Sequence, residues 1–391
     1  MRAGWHGRPL GECIERVKYD SKIPKSEFLE TGSYPIVSQE ADFVNGFWDK
    51  STDLFKVERP VVVFGDHTLV LKYIDFDFVI GADGVKVLKP KPFLYPKYFY
   101  YFLRSVRLKR LGYARHYRLL ANIDVIYPSL SEQERIVAIL DEAFEGIDRA
   151  IANTKKNLAN AREVFESYLN SIFMQQDSEW KEGTLGEIGG DVYTGPFGSL
   201  LHKSDYITGG IPLVNPAHIV EGKIIPDKDK TIDAPALERL KNYCLRKDDV
   251  VIGRRGEIGR CAVVTDTEAG WLCGTGCFYV RVFKETNPVF LAHLLRSRPY
   301  RERLEALSTG ATMLNLSNTS LGALSIRLPV FEKQEIILEG IEAISSQIRN
   351  LELTYHKKSR ALTALKQVVL QKAFAGELTA RSVENLQEAA Q

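Results

Sequence analysis

The stretch "PSLSEQERIVAIL" from Pro128 to Leu140 is restated as "PVFEKQEIILEGI" from Pro329 to Ile341. Pro128 and Pro329, Gln133-Glu134 and Gln334-Glu335, Ile136 and Ile337, Ile147 and Ile348, Phe173 and Phe374 all stand 201 residues apart, with no gap over more than forty residues. Such a constant offset demands two rigid elements of matched length. Upstream the repeat continues less tidily. "WHGRPLGE" from Trp5 returns as "WKEGTLGE" from Trp180, "YPIVSQE" near Pro35 as "IPLVNPA" near Pro212, and "VVVFG" ending at Gly65 as "DVVIG" ending at Gly253. The offset grows from 175 through 188 to 201, so the second copy carries loop insertions. A period this long makes two domains, where a solenoid would repeat every 20 to 50 residues. The order is variable unit, constant helix, variable unit, constant helix.

The constant segments read as long amphipathic helices. Ser131 with Glu134 has capping-box spacing, which starts the first helix at Ser131 just after Pro128. Leu140, Phe144, Ile147, Ile151, Thr154, Leu158, Ala161, Phe165, Tyr168 and Ile172 then follow at steps of four and three. The second helix repeats the rhythm through Ile337, Ile341, Ile344, Ile348, Leu351, Tyr355, Lys358, Leu362, Leu365 and Val369, and Gly376 ends it. Each is a heptad seam that needs a partner, and the other helix is the nearest one. About 44 residues at 1.5 Å each give roughly 65 Å. An antiparallel pair would carry the chain out to the second domain and back, with the domains at opposite ends.

The variable units mix short strands with turns and end in a short helix. "RPVVVFGD" and "DDVVIGRRGEIGRCAVV" are β-branched runs bounded by glycine, "FVIGADGVKVL" and "FYVRVF" read as strands, and "YFYYFLRS" and "FLAHLLRS" as helices. Two α+β domains with mixed, twisted sheets are expected. Between Gly84 and Ile123 there is no Asp or Glu, while Lys86, Lys89, Lys91, Lys97, Arg104, Arg107, Lys109, Arg110, Arg115 and Arg118 stand among nine aromatic residues. That asymmetry suits a polyanion, although a solvated basic face over a tyrosine-rich core gives the same pattern. In the second unit "GRRGEIGR" sets Arg254, Arg255 and Arg260 on a hairpin tip, where arginine can fork onto guanine or grip phosphate, or simply face water. "FGDHT" holds the equivalent place in the first unit, so Asp66, His67 and Thr68 become candidates for base edges.

Searches for chemistry return little. Walker lysine, H-E-x-x-H and G-x-S-x-G are all missing, and "PDKDK" from Pro226 crowds its acids into one turn. Asp66 beside His67 lacks a nucleophile. Cys273 and Cys277 in "CGTGC" have no second close pair to complete a zinc site. Five cysteines fit reduced thiols, and the opening "MRAGWHGRPLGEC" lacks the apolar stretch of a signal peptide, which points to the cytoplasm. The net charge of +2 says little about partners, and no run is long enough for a membrane span.

With these units, helices and loops the chain resembles the DNA-specificity subunit of type I restriction-modification systems. The resemblance rests on "TGPFGSLLHKSDYITGGIPLVN" from Thr194, "DDVVIGRRGEIGRCAVV" with "GWLCGTGCFYVR", "STGATMLNLS" from Ser308, "FGDHT" with "GADGVKVLKP", "GYARHYR" from Gly112 and the closing "QKAFAGEL", spread over nearly all of the chain. It implies target-recognition domains at 1–127 and 176–328, conserved helices at 128–175 and 329–378 forming an antiparallel coiled coil, and a tail at 379–391. Each domain would read one half of a bipartite, asymmetric site on double-stranded DNA. The helices would set the spacer and dock adenine-N6 methyltransferase subunits, and an ATP-dependent restriction endonuclease subunit would join them. S-adenosylmethionine, ATP and magnesium would belong to those partners, leaving this chain a non-catalytic reader. Candidate DNA contacts are Asp66, His67, Thr68, Arg104, Arg107, Lys109, Arg110, Arg115, His116, Tyr117, Arg118, Ser199, Lys203, Arg254, Arg255 and Arg260. The short lead before Leu10 departs from the family and would leave the first domain's opening strand incomplete. A specificity subunit of another type of methyltransferase-nuclease system has the same architecture, and a coiled-coil protein-binding adaptor is the reading from a different class.

Overall fold

The computed structural model describes residues 4–18, 21–82, 84–112, 114–174, 179–197, 200–308 and 315–378. The chain divides into two compact units, Met1–Lys155 with Tyr355–Gln391, and Lys156–Thr354. Both are built to one plan.

In the first unit, Ile14–Glu15, Val85–Pro90, Val61–Gly65 and Leu71–Ile74 lie in that order in an antiparallel sheet. A second sheet orders Gly46–Trp48, Tyr34–Val37, Phe78–Ile80 and Leu54–Phe55, with Ile36 and Val37 pairing in parallel with Val79 and Ile80. His6–Pro9 forms a separate ribbon with Asp124–Tyr127. The β-branched runs alternate between two apolar faces, because successive side chains of a strand point oppositely. Val62, Phe64 and Leu88 pack with Tyr98, Phe99 and Phe102 of the helix Pro96–Ser105 and with Leu140 and Phe144 of the first long helix. Val61, Val63, Val85 and Val87 face Val37, Phe78 and Ile80 of the second sheet.

The second unit restates each element. Gly190–Thr194, Cys277–Val282, Asp249–Gly253 and Cys261–Val263 form the first sheet, and Tyr206–Ile207, Thr231–Ile232, Ile211–Val214 and Leu272–Cys273 the second, again with one parallel pairing. Lys181–Thr184 pairs with Ser325–Leu328. Additions account for the growing offset: a short ribbon from Ile219–Val220 and Lys223–Ile224, and the helices Ala234–Arg239 and Arg298–Ala306. "PDKDK" is a turn, closed by the Lys230 amide donating to the Asp227 carbonyl. The ribbon strands His6–Pro9 and Lys181–Thr184 are equally long, four residues each. The shorter strand is the next one, two residues at Ile14–Glu15 against five at Gly190–Thr194.

The long helices span Leu130–Met174 and Phe331–Phe374. The first starts one residue earlier than the Ser131–Glu134 box predicts, because the Ser129 carbonyl already accepts from the Glu132 and Gln133 amides at 3.0 Å. Gln133 and Gln334, both fully buried, explain the tightest part of the sequence repeat. Gln133 donates from Nε2 to the Phe93 and Pro128 carbonyls and accepts the Tyr95 amide at 2.8 Å. Gln334 does the same with Glu285, Pro329 and the Asn287 amide, also at 2.8 Å. Each glutamine thus bolts its long helix to the loop that opens the preceding short helix.

Every predicted seam residue of the first helix from Leu140 to Ile172 is buried or half-buried. The second helix departs from prediction beyond Ile348. Leu351 and Leu365 are 41% and 44% exposed and Lys358 also faces water, while Glu352, Ser359 and Lys366 take the sheltered positions. Two consecutive steps of four, Ile344 to Ile348 to Glu352, move one row of the seam by one residue, while Tyr355, Leu362 and Val369 stay half-buried as predicted. Polar contacts then close the seam within each unit: Arg162 Nε to Glu352 at 2.7 Å in the second, and Lys366 to Asp148 in the first. The Lys366 ammonium also stands 5.3 Å from the centre of the Phe144 ring. Gly376, at φ +76°, closes the helix as predicted, with the Glu377 amide returning to the Lys372 carbonyl.

Candidate nucleic-acid interface

In the first unit the turn after Gly65 is a junction. The Asp66 amide donates to the Gly84 carbonyl, and the Asp66 carbonyl accepts from the His116 amide at 2.8 Å and from His116 Nδ1 at 2.9 Å. Asp66 Oδ1 accepts the Tyr117 amide at 2.6 Å, and His116 Nε2 accepts the Leu111 amide at 3.0 Å. His116 is therefore the neutral tautomer with its proton on Nδ1. Asp66 and His116 are 3% and 1% exposed, and their side chains hold the Leu111 and Tyr117 amides beside the turn. His67 is half-buried. Thr68 is exposed and gives its hydroxyl proton to the Gln39 carbonyl at 2.6 Å.

That fastening puts cations around the turn. Arg107, Lys109, Arg110, Arg115 and Arg118 are exposed, and none pairs with an acid among the described residues. Tyr117 is half-buried with the Lys86 ammonium 5.3 Å from its ring centre. Other members of the acid-free segment serve the fold instead. Lys97 pairs with Asp141 at 2.7 Å, Lys89 with Glu15 at 3.0 Å, and the Arg104 guanidinium lies over Tyr100 and Phe144, on the helix side of the sheet.

The second unit uses the same junction with different chemistry. The residue after Gly253 is Arg254, and its carbonyl accepts the Leu316 amide at 2.9 Å, as Asp66 accepts that of His116. Arg255 pairs with Asn315 as a β-bridge. The sequence placed Arg254, Arg255 and Arg260 on a hairpin tip, and they stand between the paired strands Asp249–Gly253 and Cys261–Val263. Their environments differ. Arg260 is held by Glu257, its Nε 2.8 Å from Oε2. Arg255 is exposed. Arg254 is half-buried over the Phe278 ring at 5.1 Å, with long contacts to Asn315 Oδ1 at 3.4 Å and Thr194 Oγ1 at 3.5 Å. Burial, then the charge of Arg255, lowers its pKa from the ordinary arginine value. A guanidinium in that state gains from an arriving anion or acceptor. Lys203 is exposed at the start of a short 3-10 helix; Ser199 lies outside the described residues.

Cys273 and Cys277 are fully buried, and the Cys273 thiol reaches the Gly274 and Cys277 carbonyls at 3.7 Å. Burial raises the pKa of both thiols well above the usual range. Among the described residues no group of three or more His, Cys, Asp or Glu could hold a metal ion, and no helix is long and apolar enough to cross a membrane.

A duplicated α+β unit, each copy carrying a loop junction after a strand glycine and followed by one of two long helices, defines the class of protein. The chain belongs to the type I restriction modification DNA specificity domain family, whose model matches residues 3–160 and 177–357. It is 21% identical to the EcoR124I/EcoR124II specificity subunit of Escherichia coli over 348 residues, 85% of each chain. It is 26% identical to the EcoKI specificity subunit of E. coli strain K12 over 184 residues, 45% of this chain and 38% of that protein. Among solved structures it is similar to a chain from a study of complex assembly and conformational transition of the type I R-M system, with TM-score 0.69 and 19% identity over 96% of this chain and 99% of that one. The HsdS subunit from Thermoanaerobacter tengcongensis gives TM-score 0.57 and 19% identity over 96% and 98%.

Proposed function

We propose that this chain is the DNA-reading subunit of a type I restriction-modification complex, with each unit reading one half of a bipartite, asymmetric site. The observation that carries this is the shared junction. Two copies of one fold present the loop after a buried strand glycine, Gly65 or Gly253, beside exposed cations, Arg115 and Arg118 in the first unit and Arg255 in the second, that pair with no acid among the described residues. A loop of that kind grips phosphate and presents side chains to base edges. In this reading 1–127 and 176–328 are the target-recognition domains, and Arg107, Lys109, Arg110, Arg115, Arg118, Lys203 and Arg255 are backbone contacts. Asp66 and His116 hold the loop rather than read bases. The long helices dock adenine-N6 methyltransferase subunits, and an ATP-dependent restriction subunit completes the assembly in the cytoplasm. S-adenosylmethionine, ATP and magnesium stay with those partners, and this chain performs no covalent step.

Binding should therefore weaken steeply with salt. If the five exposed first-unit cations each neutralise a phosphate, log K against log salt falls with a slope of about −4 or steeper, and Arg115→Ala makes it shallower by about 1. Titrating duplex DNA at several salt concentrations measures this. Salt-independent affinity, or methyl transfer by the chain free of methyltransferase, overturns the reading.

A further inference from the structure

The connection at residues 38–45 in the first unit is tied down more firmly than a surface loop requires. Asn45 Oδ1 accepts the Ser38 amide at 2.8 Å and the Lys72 ammonium at 2.9 Å, and Asn45 Nδ2 donates to the Asp42 carbonyl at 3.1 Å. Lys72 donates to that carbonyl as well. Lys72 stands opposite Val63 in the sheet and is 3% exposed, so its ammonium is buried on the face that carries Val61, Val63 and Val85. In the second unit the residue opposite the matching Val251 is Ala262. The fold therefore has an apolar solution at this position, and the first unit bears the cost of burying a charge instead.

The clamped loop delivers Gln39 to the turn after Gly65. The Gln39 carbonyl accepts the Thr68 hydroxyl at 2.6 Å, and Gln39 Oε1 accepts the His67 amide at 3.2 Å. Gly84, at φ +73°, lies alongside, and a Cβ there would come within 2.5 Å of Oε1. The amide orientation follows, because an N–H donor needs the oxygen. Nε2 is then the free end, and among the described residues no acceptor meets it.

We propose that Gln39 is a base-reading residue of the first unit, presenting Nε2 as a fixed donor to an acceptor on the major-groove edge, and that Lys72 is its positioning residue. Guanine O6 or N7, thymine O4 and adenine N7 are the acceptors that fit. The assignment rests on the DNA-reading role proposed above. It also separates the two units. Val37 and Val214 hold equivalent places, their carbonyls accepting from Gly81 and Gly274. Two residues on, the first unit has Gln39 and the second has Pro216, which packs against Gly253 and offers no donor. The second unit must read with other side chains.

The test uses the full chain co-expressed with its adenine methyltransferase, in cells whose methylated adenines are mapped at single-base resolution. Gln39→Ala should lower discrimination about fivefold at one base pair of one half-site, as loss of one hydrogen bond allows, and leave the other bases, the spacer and the second half-site intact. Gln39→Glu replaces the donor with an acceptor and should move preference at that same position toward a base with an exposed amino group. Lys72→Met keeps the stem without the ammonium and should loosen the same position; if it yields no soluble protein, Asn45→Ala takes its place at the other end of the clamp. An unchanged motif in Gln39→Ala, or a uniform weakening at all positions, overturns the assignment. An unchanged motif in the clamp variant overturns the positioning role. If the wild-type complex shows no sequence motif, the DNA-reading role falls first and this assignment with it, which a wild-type control distinguishes.

Discussion

A lysine buried on a valine face titrates where surface lysines do not. Burial pushes the Lys72 pKa down to about 8, against weaker opposition from Glu40 and Asp42. The folded value lies below the unfolded one, so between about pH 8 and 10.5 the unfolded chain binds more protons and stability rises with pH. Below pH 8 both states carry the proton and the cost is constant. Relative to Lys72→Met, the wild type should gain on the order of 1 to 3 kcal/mol between pH 7 and pH 10, read from paired denaturation curves. Parallel curves would show that the ammonium is better hydrated than its burial implies. The arginines of the second unit divide on similar grounds. Arg254 is fixed over Phe278 and half desolvated, whereas Arg255 is exposed. Arg254→Ala should cost about 1 to 3 kcal/mol and relax one base of the second half-site, and Arg255→Ala should weaken all sequences alike. Competition assays against half-site variants separate these, and the reverse assignment follows if Arg255 proves base-specific. The sequence named these arginines as candidates but not their surroundings. "FGDHT" and "GRRGEIGR" could be aligned there, but that Asp66 turns inward while Arg254 stays half out depends on loops brought in from His116 and Asn315.

Elements were far more legible, because helix period and strand alternation are local. The long helices, the strand runs around Gly65 and Gly253, and the loop insertions of the second copy all follow from spacing alone. The failures are tertiary. The seam of the second helix slips at Glu352 because ion pairs with the first helix override its leucines, the first helix starts at Leu130 because the Ser129 carbonyl already accepts two amides, and Gln133 is bolted to Phe93, Tyr95 and Pro128. Those bolts make a test of the repeat itself. Gln133→Leu leaves a buried amide and two carbonyls without partners, which costs about 2 to 4 kcal/mol. Gln334→Leu should cost a similar amount, since its three bonds match in kind and length. Hydrogen exchange should show each loss confined to its own unit, with faster exchange at Tyr95 or Asn287, and base preference should not change. A large loss in one variant and none in the other would mean that the copies differ in what holds their helices.

At the scale of the whole molecule, the repeat gives the proposed reading of an asymmetric site its physical basis. Duplication fixes the framework while the loops diverge, so one copy carries Gln39 and an inward Asp66 where the other carries Pro216 and Arg254. The long helices are the constant part, and within each unit an ion pair joins them, Asp148 with Lys366 in the first and Arg162 with Glu352 in the second. If the helices set the distance between half-sites, lengthening both by one heptad should lengthen the spacer. Seven residues inserted after Ala152, with seven after Ala361 on the second helix, preserve both seams and add about 10 Å. At about 3.4 Å per base pair this is at most roughly three pairs. Each added pair also rotates the far half-site by roughly 35°, so twist should hold the gain to about one to three. Both half-site sequences should stay as they were, because no reading loop changes. Two residues inserted into one helix alone should break the seam and abolish methylation. The idea fails if the heptad variant folds, binds its methyltransferase and still modifies only the original spacing, which methylation mapping reads directly.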